Sequence, residues 1–420
     1  MDRVEPVVAP PPGNPRFPLF DGLRAIAVLA VLVTHTALLS GANELAWYGK
    51  YTARLDVGVT IFFLISGFLL YRPFVAAHLD GRSGPRLRDY ARRRVLRIVP
   101  AYWLALTALS IYPGLVAMWS SQSWVYYLFL QDYRGIWTFG GLQPAWSLSI
   151  EVAFYAALPL VAYGLRRAGA GMNRAGRVRL EAGVIVALGA ASVVVRLLTP
   201  ESPRSQWHIT LPGTFYWFAL GMLLAVASAA LAGREPGVVR FLRRWPSAAW
   251  LVALALFWFT ATQVGLGGTL YFRITTTQSV AMHLLYGAIA FFVLLPAVFA
   301  GDGGGVPRRI LRNRFVAWLG LISYGVFLWH HPIAVKLSEA NDHGLFPSFR
   351  MLGMTAATLA LAVACAAISY YVLERPILRY KDGLARYRIQ RVEDMRARKG
   401  GTPAGAVAGA SAGDAQRDPG

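Results

Sequence analysis

The stretch DVGVTIFFLISGFLL, residues Asp56–Leu70, decides the fold. No charged side chain occurs between Asp56 and Arg72. Extended to residues 55–76, the run is long enough as a helix to cross a hydrocarbon core of about 30 Å. Comparable runs recur on both sides, at about 19–40, 95–118, 143–164, 183–200, 211–232, 247–267, 279–300, 314–335 and 351–373. The run at 95–118 is the weakest, because Tyr102 and Pro113 interrupt it. The stretch 121–133, SQSWVYYLFLQDY, is too short to span and reads as an interfacial segment. Hydrophobic residues make up 56% of the chain and charged residues 15%, against about 25% charged in soluble domains. The sequence therefore predicts an all-α integral membrane protein, a bundle of about ten transmembrane helices.

The net charge of +21 could point to nucleic acid, but its distribution argues for topology instead. Arginines cluster at 72–97, 166–179, 234–244 and 308–314, and again in the tail from Arg375. The intervening loops hold only Lys50, Arg54, Arg134, Arg204, Arg273, Lys336 and Arg350. That alternation is the positive-inside pattern, and it places both termini in the cytoplasm. Trp47, Trp119, Trp137, Trp207 and Trp245 fall near predicted span ends, as in an interfacial aromatic belt. No cleavable signal peptide is visible, so the first span is expected to stay as a signal-anchor of a multi-pass protein of the cell (inner or plasma) membrane. Three regions are expected: a disordered segment 1–14, a membrane domain 15–382, and a basic tail 383–420 ending in a disordered Gly/Ala-rich stretch. One cysteine, Cys365, allows no internal disulfide and no Cys-based metal site.

Ionisable residues inside spans cost at least about 2.5–3.5 kcal/mol each, so they are functional candidates by default. Arg24 and His35 are eleven residues apart, close to three helical turns, so they share one face about 16 Å apart along the axis. Arg24 sits at the inner mouth, suited to an anionic cytoplasmic donor. His35 sits toward the outer side, and histidine is the side chain best suited to act as a base near neutral pH. Glu151 lies at a depth close to that of His35, with Ser147 one turn before it. It could hold the His35 ring or bind a substrate hydroxyl. Ser66 and Gly67 sit mid-span, where small residues permit close helix approach or leave room for a ligand. Asp56, Trp146, Ser147 and His330 stand at outer span ends as acceptor-side candidates. His330 and His331 are adjacent, so they point to different faces of a helix and lack the spacing of a metal pair. Arg196 and His283 read as packing or interfacial residues. No phosphate-binding G-x-x-x-x-G-K-[ST] loop and no G-x-S-x-G elbow occurs, which argues against ATP-driven and serine-hydrolase chemistry.

Six segments together resemble the acyltransferase 3 family of bacterial membrane-bound O-acyltransferases. They are FDGLRAIAVLAVLVTHT at Phe20–Thr36, DVGVTIFFLISGFLL at Asp56–Leu70, RRRVLRIVPAYW at Arg92–Trp103, QPAWSLSIEVAFY at Gln143–Tyr155, LISYGVFLWHHPI at Leu321–Ile333 and YYVLERPI at Tyr370–Ile377. The resemblance implies ten spans with cytoplasmic termini, and transfer of an acyl group, commonly acetyl, from acyl-CoA to a hydroxyl of a carbohydrate, glycolipid or glycoside. It implies no metal and no cofactor beyond acyl-CoA as co-substrate. It matches His35 to the essential histidine and Arg24 to its arginine partner. Arg94 and Arg97 fall in the basic segment, Ser66 and Gly67 in the Ser-Gly-Phe element, and Glu151 is the acid after Trp-Ser-Leu. Many members carry a hydrolase-like domain after the last span; the short basic tail here resembles the stand-alone type. The partners expected are acyl-CoA, the acceptor and the bilayer, with no nucleic acid. The rival reading is a transporter or flippase for a lipid-linked glycan or similar anion, against which stands the lack of paired Gly/Pro-broken spans in two halves.

Overall fold

A computed structural model of the protein describes residues 17–135, 138–199, 207–268, 274–299, 305–341 and 350–377. The expected disordered ends, 1–14 and the tail from 383, lie outside the described residues, as do Trp137, Arg204 and Arg273. The chain forms helices α1 (Leu19–Leu39), α2 (Ala42–Leu45), α3 (Gly49–Thr52), α4 (Val57–Leu79), α5 (Leu87–Ile111), α6 (Trp124–Tyr127), α7 (Trp146–Ala168), α8 (Arg174–Leu198), α9 (Leu211–Leu231), α10 (Gly237–Arg244), α11 (Pro246–Gln263), α12 (Thr276–Phe299), α13 (Val306–Leu311), α14 (Arg314–Leu321), α15 (Ser323–Asn341) and α16 (Arg350–Ser369). A π-helical turn, Tyr370–Glu374, continues α16. Among the described residues eight helical segments are long and apolar enough to cross a membrane, or nine if α10 and α11, bent by 85°, form one span. This is an integral membrane bundle.

Two differences from the expected spans have physical causes. Helix α5 begins well before residue 95, because arginine and leucine are good helix formers whatever their hydropathy. It ends at Ile111, next to Pro113. The expected span 314–335 is two helices, α14 and α15, separated at Ile322. Helix α15 is not among the eight apolar helices, because His330, His331, Lys336 and Glu339 lower its hydropathy. Its histidines are nevertheless buried, His330 at 0% exposure, where α1 and α16 cover it.

Helix α1 lies between two cores. Leu19, Phe20, Leu23 and Ala27 join a core built with α4, α7, α8, α9 and α12. Ala25, Val28, Val31 and Leu32 join a second core with α5, α14, α15 and α16. The helix is apolar nearly all round because both sides are packed, as expected of a buried helix. Arg24 and His35 are thus held at the seam of the two cores.

Helices α4 and α9 cross closely through glycine. A Cβ on Gly67 would stand 2.4 Å from the Phe218 carbonyl oxygen, and one on Gly221 would stand 2.2 Å from that of Leu64. Arg196, an intramembrane cation outside the seam, is structural: it donates to Ser279 Oγ at 3.0 Å and to the His208 carbonyl at 3.3 Å. His283 is buried against the Trp217 ring, 4.4 Å between centroids. Trp47, Trp119, Trp207 and Trp245 are all exposed, as a belt requires.

The segment 121–133 is more than an interfacial strip. Helix α6 and the 3₁₀ turn Gln131–Tyr133 pack inward, with Tyr126, Gln131 and Asp132 each at 1% exposure. Tyr102 donates to the Tyr126 carbonyl at 3.0 Å, Ser149 to that of Phe129 at 2.7 Å, and Gln131 to that of Ala145 at 2.9 Å. These bonds tie the segment to α5 and to the start of α7. Burial pushes the Asp132 carboxyl well above the usual carboxylate range. The folded state therefore favours the protonated acid. Stability from this group is fully present below the unfolded pKa of about 3.9 and is lost as pH rises through the higher folded value. Asp132→Asn is expected to raise the thermal midpoint in detergent at neutral pH by a few degrees, with the gain shrinking as pH approaches about 4. A lower midpoint at neutral pH would show that the carboxylate is needed ionised.

Candidate active site

One face of α5 carries Tyr90, Arg94 and the adjacent pair Arg97 and Ile98, at three- to four-residue steps from one turn to the next. That face meets α4 and α7 beside α1. Between them lies a cavity of about 210 Å³. Its polar lining comprises Arg24 from α1, Ser66 from α4, Arg94 and Arg97 from α5, Ser147, Glu151 and Tyr155 from α7, and Ser323 with Tyr324 from α15. Six of the sequence candidates, Arg24, Arg94, Arg97, Ser66, Ser147 and Glu151, are thus brought to one space.

The charges are unbalanced. Arg24 donates to Asp21 Oδ1 at 2.7 Å, one turn toward the N-terminus. Arg94 stands over the Tyr155 ring, 5.9 Å from its centroid, within cation–π range. Its Nε is buried without a hydrogen-bond partner among the described residues. Arg97 is a charged neighbour of Arg24 and of Glu374. Glu151 accepts a hydrogen bond from Ser66 Oγ, and it is the only carboxylate among the lining residues. The lining itself holds three cations and one carboxylate, with Asp21 pairing Arg24 from outside it, so the lining carries more positive than negative charge and favours an anion.

Histidine 35 is not part of that lining. It stands farther along α1, about 16 Å from Arg24 by helical rise. His35 Nδ1 is 3.0 Å from His330 Nε2. The His331 ring meets His35 edge-on, 5.0 Å between centroids. Phe327 lies between the two places: it lines the cavity, and its ring is 5.8 Å from that of His330. Of the two roles open to Glu151, contact with the His35 ring is not the one seen: Glu151 is bonded to Ser66, and the side chain within hydrogen-bond distance of His35 is that of His330.

The remaining candidates lie elsewhere. Gly67 faces α9, 100° round the helix from Ser66, and serves close helix approach there. Asp56 accepts a hydrogen bond from the Tyr286 hydroxyl, on the α12 side. Trp146 packs against the core that contains α4 and α9. His330 is fully buried beside His35. The sequence reading missed Tyr155 and Tyr324. Tyr155 was accessible to it, one turn after Glu151 on the same face. Tyr324 was not, since only the packing of α15 on α5, where its hydroxyl donates to the Ile98 carbonyl at 2.9 Å, brings it in.

Comparisons with known proteins identify the family. The acyltransferase 3 model, an acyltransferase domain, matches residues 18–373. YrhL of Bacillus subtilis is 25% identical over 386 residues, covering 86% of this chain and 54% of that protein. The O-acetyltransferase OatA of Staphylococcus aureus is 24% identical over 381 residues, covering 87% and 58%. The peptidoglycan O-acetyltransferase OatA of Listeria monocytogenes is 23% identical over 389 residues, covering 88% and 57%. The chain thus spans a little over half the length of these relatives. No solved structure matches it. With a family match that takes in α1 through nearly the whole of the π-helical turn after α16, and with it both His35 and the arginine cavity, this chain belongs to the acyltransferase 3 family.

Proposed function

We propose that the protein transfers an acyl group, of which acetyl is the first expectation, from acyl-CoA to a hydroxyl of a carbohydrate or glycoside acceptor. The observation that carries this reading is the placement of Arg24, Arg94 and Arg97 around one cavity, with His35 farther along the helix that holds Arg24. The cavity suits the donor's phosphates. The pantetheine arm then passes Phe327 to bring the thioester toward His35. There the acceptor oxygen attacks the thioester carbonyl, His35 takes the hydroxyl proton, the C–O bond forms and the C–S bond breaks. The proton passes to the departing thiolate. Ser66 and Glu151 hold the donor's path, and Ser147, nearer the outer end of α7, belongs to the acceptor side. The names of the relatives favour an acetyl donor and a cell-wall glycan acceptor.

The deciding experiment is thioester consumption by the purified protein in nanodiscs, with a panel of glycan acceptors. Acceptor-dependent release of free thiol, with the acyl group recovered on the glycan, is the expected result. Movement of a glycolipid between leaflets without thiol release would instead establish a flippase.

The direction of donor entry makes a separate prediction. Reporter fusions in the 80–92, 168–180 and 234–244 loops are expected to read as cytoplasmic, and fusions in 42–54 as external, because the arginines cluster in the first set. An external signal from the loop before Arg92 would place the arginine cavity on the wrong side for a cytoplasmic donor.

A further inference from the structure

Both ring nitrogens of His330 face hydrogen-bonding groups. Its Nδ1 faces two backbone carbonyl oxygens, that of Phe327 at 2.7 Å and that of Val326 at 3.1 Å. A carbonyl oxygen can only accept, so Nδ1 must carry the proton. The ring is at 0% exposure, and no carboxylate is among its hydrogen-bond partners in the described residues. A buried imidazolium would need such a partner, so the neutral ring is the form that this site holds. In a neutral ring with a protonated Nδ1, Nε2 is an acceptor. What faces that acceptor, at 3.0 Å, is His35 Nδ1. His35 must therefore carry its own proton on Nδ1, and its lone pair stands on Nε2. The Val31 carbonyl, one turn earlier in α1, is a backbone acceptor for the same ring. His35 keeps part of its surface accessible while His330 does not.

We propose that His330 is a positioning residue, which holds His35 in the tautomer and orientation that turn Nε2 toward the acceptor hydroxyl. The chain of bonds runs from the carbonyls of α15 to His330 Nδ1–H, and from His330 Nε2 to His35 Nδ1–H. It does what a carboxylate does for the base in a catalytic triad, without adding a charge. When His35 takes the proton, its Nδ1–H becomes the donor of a charge-assisted bond to His330, which strengthens as the reaction proceeds. This moves His330 from the acceptor side of the site to the far side of the base. The inference rests on His35 being that base.

The test compares two replacements by kinetics in nanodiscs. His330→Phe keeps a planar ring in the same volume but has no acceptor. His330→Gln places an amide oxygen near the position of Nε2, where it can still accept from His35. Phe is expected to lower kcat by about 10²-fold or more, with KM for both substrates nearly unchanged. Gln is expected to recover to within about tenfold of the natural enzyme. Adding His330→Phe to His35→Ala is expected to cost nothing further, since the two act as a unit. If the Phe variant is not monodisperse, His330→Leu serves as the acceptor-free variant. A normal kcat in the acceptor-free variant overturns the inference. So does a Gln variant that is folded yet as slow as the Phe variant, or a loss seen in KM alone. Normal turnover by His35→Ala would instead remove the base assignment itself.

Discussion

His35→Ala is expected to lower kcat by about 10²–10⁴-fold, the usual contribution of a general base, while donor binding survives. The arginine cavity is lined by Arg24, Arg94 and Arg97, and His35 is not part of that lining, so removing the imidazole leaves the cavity's cations in place. His35→Gln is not expected to restore turnover, since an amide cannot take the acceptor's proton. Arg24→Ala is expected to fail differently. It removes one of three cations about 16 Å from the chemistry, so it should raise KM for acyl-CoA with a smaller effect on kcat. Arg24→Lys should recover part of the loss, as a point charge without the bidentate fork. Arg24 already holds Asp21 at 2.7 Å, and a lysine there would still pair with that carboxylate. Donor binding and steady-state kinetics, with folding checked by monodispersity, separate the two patterns. Abolished donor binding in His35→Ala, with normal binding in Arg24→Ala, would reverse the two roles.

Gly67→Leu is expected to prevent the bundle from assembling, and Gly67→Ala to destabilise it. The first atom of any side chain would stand 2.4 Å from the Phe218 carbonyl oxygen, and that atom belongs to backbone that cannot rotate away. Overpacking of this kind typically costs about 1–3 kcal/mol and sometimes more. The reciprocal contact of Gly221 with Leu64 leaves α9 no room to retreat without opening the opposite side. The neighbouring change Ser66→Ala is the control. Its side chain faces Glu151 rather than α9, so the fold should persist while the cavity loses a hydrogen bond. Monodisperse yield and thermal midpoint read both outcomes. A well-folded Gly67→Ala with a raised KM for the donor would return Gly67 to the cavity and contradict the packing role.

The family segments were readable because each concentrates unlike residues in a span that otherwise admits only apolar ones. Arg24 and His35 stand out in α1 for that reason, and their eleven-residue spacing fixes a shared face before any neighbour is known. Ser66 and Gly67 show where this stops. Both are small, both lie in one motif, and adjacent positions on a helix point 100° apart, so one line of letters served two different neighbours. Helix α15 shows the opposite failure. Its polar residues drag down its hydropathy, yet His330 and His331 are buried because α1 and α16 cover them.

The sequence by itself determined the medium, the all-helical class and the family, because a 30 Å apolar slab demands long apolar runs and confines charge to a few positions. It also determined that Arg24 and His35 lie on one helix face, since helical period is a local property. Only the tertiary structure decided which residues share a space. Arg94, Arg97, Glu151 and Tyr155 come from helices whose contacts are set by the packing of α5 and α7 on α1 and α4, not by spacing along the chain. The partner of His35 was decided in the same way. It is His330, 295 residues away in the chain, because α15 packs on α1 and delivers an acceptor whose own proton is committed to a backbone carbonyl.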